Sequence, residues 1–238
     1  MFEPASYRTV STRPRGAALD EGLRRHMLGI YRMMALGLGV TGLVALLVSS
    51  TPALYVPIFG TPLKWVAMLA PLAFVFFFTF RIERMTTATA RATFFAFAAV
   101  MGVSMASIFL VFTNVSIATA FFAAAALFLG LSVWGYTTKT DLSRFSTFLM
   151  IGLLAVVAVS LVNLFIGSSL LQTAVAAAGV LVFTGLTAWD TQRLKSEYLA
   201  YAGSQATEKL AVMGALSLYL NLINLFQLLL QLIGQREE

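Results

Sequence analysis

ALSLYLNLINLFQLLLQLIG, residues 215–234, is apolar enough to sit in a membrane yet carries Ser217, Asn221, Asn224, Gln227 and Gln231. At 100° per residue these five side chains fall within an arc of roughly 120°, so a helix here has one amide-lined stripe set in an apolar surface. That stripe cannot face hydrocarbon, where its amides would have no partners. Other helices or a water-filled cavity must cover it. The stretch reads as the central helix of a bundle.

The rest of the chain supplies the covering helices. Of 238 residues, 59% are hydrophobic and 11% are charged, where a soluble domain has about 25% charged residues. The mean hydropathy is +0.87. Apolar runs at 27–50, 63–80, 92–113, 116–136, 145–166 and 170–189 each approach or exceed the roughly 20 residues that a helix needs to cross a bilayer. The expected fold is an all-α integral membrane protein in contact with the lipid bilayer, a bundle of seven transmembrane helices with the C-terminal one at its centre. Residues 1–26 read as a basic cytoplasmic tail, 27–234 as the seven-helix domain and 235–238 as a short C-terminal tail. Pro4 and Pro14 argue against a continuous helix in the tail, Pro52 and Pro57 end the first span, and Pro71 predicts a kink in the second. The first apolar run starts too late and runs too long for a signal peptide, so it is expected to remain in the mature protein.

The connectors alternate in charge. Arg81, Glu83, Arg84 and Arg91 follow the second run, Lys139, Asp141 and Arg144 the fourth, and Arg193, Lys195, Glu197, Glu208 and Lys209 the sixth, whereas Asn114–Val115 and Gly167–Ser169 carry no charge. By the positive-inside rule the N-terminus and the basic connectors are cytoplasmic and the C-terminus lies outside. If the polar last helix is re-entrant instead, the C-terminus returns to the cytoplasm.

Composition also excludes functions. The net charge of +6 sits in clusters between apolar runs, where it signals topology rather than nucleic-acid binding. With no Cys and the single His26, disulfides, thiol chemistry and sites built on paired histidines are ruled out. The only titratable candidate acid near the spans is Asp190, so no enzyme and no resident cofactor is expected.

Asp190 ends the sixth run, after Thr187, Ala188 and Trp189, and two readings of it are open. It is an interfacial acid beside an aromatic belt residue, or the helix continues and turns the carboxylate inward towards the polar stripe, which would mark a functional site. Asn221 and Asn224, three apart on one face, either hydrogen-bond neighbouring helices or line an ion path with Ser217 and Gln227. Arg81, Arg84 and Arg32 read as anchors snorkelling to the headgroups, and Asn163 and Gln172 as interfacial.

The pattern ALSLYLNLINLF at 215–226, together with TAWDTQRLK at 187–195, resembles the transmembrane Bax inhibitor motif family, and the seven-span layout resembles its bacterial members. The likeness extends over roughly 27–233. It implies six helices around the last one and a passive, pH-sensitive calcium leak, here in a bacterial inner membrane. It also implies a gate at the cytoplasmic constriction formed by Asp190, the residue at the Asn221 position, and Arg81 as the arginine that engages the acid. In the family that second position is an aspartate, and two close carboxylates resist joint ionisation, which lets the pair sense pH. Asn221 removes that coupling, so a pore with weak pH sensing is expected. One charge at 4 Å is worth about 4 kcal/mol at an effective dielectric near 20, so Asp190 alone is a weak calcium ligand and calcium is expected as a permeant ion rather than a cofactor. The resemblance also allows a non-conducting regulator that binds a membrane protease or another membrane partner. A monomer is compatible with either.

Overall fold

A computed structural model describes residues 15–202, 204 and 206–236. Among these the chain forms α1 (Arg15–Ser50), α2 (Pro52–Phe59), α3 (Leu63–Arg81), α4 (Thr87–Met105), α5 (Asn114–Thr137), α6 (Ser146–Ile166), α7 (Ser169–Tyr201) and α8 (Ala206–Ile233). Short 3₁₀ turns follow α3 and α4 and precede α6. All but α2 are long and apolar enough to cross a membrane. The protein is an all-helical integral membrane protein with seven spans.

Half of the most apolar window of α8 is buried, against 6% for α6, which places α8 in the middle. Four helices, α1, α4, α5 and α7, pack directly on it, while α3 rests mainly on α4 and α6 on α7. Tyr219 holds this centre together. Its ring meets Phe94 and Phe97 edge-on, both with centroids 5.7 Å away, and its hydroxyl lies 2.6 Å from Thr41 Oγ1. Thr41 in turn donates towards Ala98 O of α4. One buried hydrogen-bonded cluster thus joins α1, α4 and α8, and satisfies polar groups that lipid could not.

Local sequence sets the ends. Thr86, Thr113 and Ser168 accept from the backbone N–H three residues on and cap α4, α5 and α7. Gly167, at φ 69°, ends α6 in the left-handed conformation that a residue without a Cβ adopts freely.

Three boundaries differ from expectation. The first helix starts at Arg15, inside the segment read as a tail; residues 1–14, including Pro4 and Pro14, lie outside the described residues. The seventh helix runs on to Tyr201, through a stretch read as a loop. These two extensions support each other: His26 stacks on Tyr198 at 4.8 Å, and Gly22 leaves room for the Tyr198 hydroxyl. Charged residues on both extensions masked helices that continue beyond the apolar run. The third difference is α2, formed where Pro52 and Pro57 suggested a loop; Pro52 occupies its first turn, where a missing N–H costs nothing.

The last helix crosses fully rather than re-entering. Its first turn is tied to the α3–α4 junction by Lys209 Nζ donating to Glu83 O (3.0 Å). Its far end is tied to the α4–α5 turn by Thr113 N donating to Gln235 O (3.1 Å) and Gln235 N donating to Ser116 Oγ (2.9 Å). Those anchors lie at opposite ends of α4, and 28 helical residues span about 42 Å at 1.5 Å per residue.

Candidate functional site

The extension of α7 decides the site. Because the helix does not stop at Trp189 but runs on to Tyr201, Asp190 is held in regular helix on the face that meets α8. It is 3% exposed, so the inward reading holds and the interfacial one does not. Its Oδ2 accepts from Ser217 Oγ at 2.6 Å and from Asn221 Nδ2 at 2.7 Å. Ser217 and Asn221, four residues apart, are one turn of the α8 stripe.

Opposite charge comes from the same helix. Arg193 Nη2 lies 2.8 Å from Asp190 Oδ1. The contact is off the line of a hydrogen bond, so Oδ1 is held by charge alone, and Arg193 Nε, 3.6 Å from Glu197 Oε1, is likewise unsatisfied. The guanidinium also covers the Trp189 ring, 4.9 Å from its centroid. It sits between two acids, one turn before it and one after.

The other side of α7 is fastened to α5 and its following loop. Gln192 accepts from Leu142 N and donates to Thr140 O, both at 2.8 Å. Lys195 Nζ donates to Tyr136 O at 3.1 Å, and Thr191 Oγ1 reaches Ser132 Oγ at 3.4 Å. Gly135 allows the close approach: a Cβ there would lie 2.9 Å from both Cα and C of Ala188, and closer still to its carbonyl oxygen. With one face locked, Asp190 has little freedom to leave the other.

The remaining candidates separate. Arg81 is exposed, and the arginine at the carboxylate is Arg193; a partner three residues along the same helix is always within reach, whereas Arg81 would have to fold back from the end of α3. Arg84 and Arg32 are exposed. Asn224 is half-buried and donates to Leu220 O of its own helix at 2.8 Å, so it does not glue helices together. Gln227 is half-buried on the same stripe. Asn163 closes the α6–α7 turn through Ser168, and with Gln172 and Gln231 lines a cavity of about 370 Å³ at the far end of the bundle. In the sequence Arg193 reads as one of the connector charges that set topology, and Gln192 carries no role. Their signal was the helical spacing from Asp190, legible only once the helix is known to continue.

Around the acid, the oxygens within reach are its own carboxylate, the Ser217 hydroxyl and the Asn221 amide. Among the described residues no three His, Cys, Asp or Glu side chains cluster as a metal site. Calcium takes 6–8 oxygens, so water would have to complete any coordination shell here.

The chain matches the family model described as "Inhibitor of apoptosis-promoting Bax1" over residues 23–238. It is 42% identical over 231 residues to an uncharacterized protein of Caulobacter vibrioides (93% of this chain, 92% of that one). It is 38% identical over 231 residues to one of Rickettsia prowazekii (97% and 98%). An Escherichia coli relative, named inner membrane protein YbhL, is 37% identical over 218 residues (90% and 93%). A bundle closed around a polar last helix, matched along nearly its whole length, belongs to the Bax inhibitor family of membrane proteins.

Proposed function

We propose that this protein is a slow cation leak, with calcium the permeant ion, gated at Asp190 and set in a bacterial inner membrane with its N-terminus cytoplasmic. The observation that carries the reading is the buried carboxylate between α7 and α8. An ionisable group at that depth is costly, and a pathway for charge is the usual reason for one.

The arrangement corresponds to a closed gate. Ser217 and Asn221 turn donors towards the acid and the Arg193 guanidinium lies against it, and donors and positive charge both repel a metal ion. Passage requires the Asn221 amide to present its oxygen instead and Arg193 to withdraw, with Glu197 positioned to receive it. With one carboxylate and two neutral oxygens, the site holds a cation weakly, which suits transit more than storage. The absence of a second acid leaves little for protons to compete over, so the pH response of the leak is weak.

Purified protein in liposomes loaded with a calcium indicator tests this. Calcium flux above that of empty vesicles is expected, and Asp190→Asn should change its rate at least several-fold. An unaltered rate removes Asp190 from the pathway. No flux from the wild type favours a non-conducting regulator that acts through a membrane partner.

A further inference from the structure

Helices α1 and α5 both pack on α8, but they stand apart from each other near the start of α1. The gap is a groove of about 500 Å³ lined by Asp20, Arg24, Met27, Leu28, Tyr31, Leu129, Ser132, Val133 and Tyr136. The two helices run antiparallel here, so Asp20 and Arg24 stand beside Tyr136 in the last turn of α5, and Tyr31 lies deeper with Leu129. From Asp20 to Tyr31 the groove is about 17 Å long at 1.5 Å per residue.

Its chemistry changes along that length. The deep part is apolar and open to the bilayer, with Leu28, Leu129 and Val133 55%, 58% and 64% exposed and Met27 and Ser132 as the buried floor. The shallow end has one acid and one base. Asp20 and Arg24 are four residues apart on the same helix face, both exposed, and neither forms an ion pair among the described residues. Their neighbours behave differently: Glu21 and Arg25, with the same spacing, pair at 3.5 Å.

We propose that this groove binds a phospholipid whose headgroup carries a phosphate and a primary ammonium, of the phosphatidylethanolamine class. Arg24 takes the phosphate by charge-assisted hydrogen bonds. Asp20, one turn away, takes the ammonium. One acyl chain lies along Leu28, Leu129 and Val133, displacing loosely packed lipid from an apolar wall. A purely anionic headgroup would meet Asp20 with like charge, and a quaternary ammonium has no N–H to give it. Both rim charges are therefore used only by a zwitterion with hydrogen-bond donors. The proposal does not depend on what crosses the bundle. The groove floor is nevertheless linked to the gate helix, since Ser132 accepts from Thr191, the residue after Asp190.

The test is lipid retention by the purified full chain, released from a detergent mixture containing equal phosphatidylethanolamine, phosphatidylglycerol and phosphatidylcholine, with the bound lipid identified by native mass spectrometry. Phosphatidylethanolamine is expected to be retained preferentially. Arg24→Gln and Asp20→Asn should each lower its retention about tenfold, the loss of one charge-assisted contact. Arg25→Gln should leave it unchanged. Leu129→Trp, filling the groove, should lower retention of every class. All these positions are exposed, so the fold is preserved, and unchanged melting temperatures would verify that. Equal retention of the three lipids, preference for phosphatidylglycerol, or retention unaffected by Arg24→Gln and Asp20→Asn overturns the proposal.

Discussion

At the residue scale, the site is an acid held by two hydrogen-bond donors and one positive charge, and each can be removed separately. Asn221→Asp places a second carboxylate at hydrogen-bond distance from Asp190. The two cannot both ionise freely, so the variant gains a coupled proton-binding pair that the wild type lacks. Calcium flux in this variant should then fall as the pH is lowered, and more steeply than in the wild type. Superimposable profiles for the two proteins would defeat the sensor argument. Arg193→Gln acts the other way. The guanidinium is about one-third exposed, so its attraction for Asp190, discounted for solvent, is about 1 kcal/mol. Its loss should raise the leak about fivefold, measured in the same vesicles. A slower leak would mean that Arg193 does not compete with the cation for the acid.

At the scale of elements, the position of Asp190 is fixed by the seam between α5 and α7. Gly135 faces the Ala188 backbone, two residues before the acid, so a methyl group there has no flexible side chain to push aside. Gly135→Ala should separate the helices, destabilise the protein by about 1–3 kcal/mol and disturb the flux. Gly130, on the same helix with nothing within 4 Å of its Cβ position, provides the comparison. Gly130→Ala should be neutral or slightly stabilising, since glycine is the poorer helix former. Thermal unfolding in detergent measures both. Equal melting temperatures would show that the seam can yield.

At the scale of the whole molecule, the three basic connectors meet at one end of the bundle. Lys209 reaches the α3–α4 junction and Gln192 the α5–α6 loop, while the uncharged α4–α5 turn holds the end of α8 on the opposite side. Positive charge thus gathers on one side, and the positive-inside rule predicts that this side is cytoplasmic. A phosphatase fused after Arg236 should be active in a bacterial host and a fluorescent protein there dark. The reverse result would invert the topology, and would place Asp190 near the outer mouth.

The sequence by itself determined the class of molecule and its centre. Seven apolar runs need a bilayer, and five polar side chains on one face of the last run need cover, because lipid can satisfy neither an amide nor a hydroxyl. It also picked out Asp190 and Asn221, since an acid and an amide at such places are conspicuous by cost. It could not decide whether the acid faces inward. That depends on α7 continuing past Trp189, and charged residues look alike in a solvated loop and in a helix extending beyond the membrane. Only tertiary structure settled it, through the packing of α1 and α7 extensions on each other and the fastening of Gln192 to the neighbouring loop. The same packing replaced Arg81 by Arg193 at the carboxylate, because a side chain's partner is set by where helices stop and which faces meet, and neither is written in hydropathy.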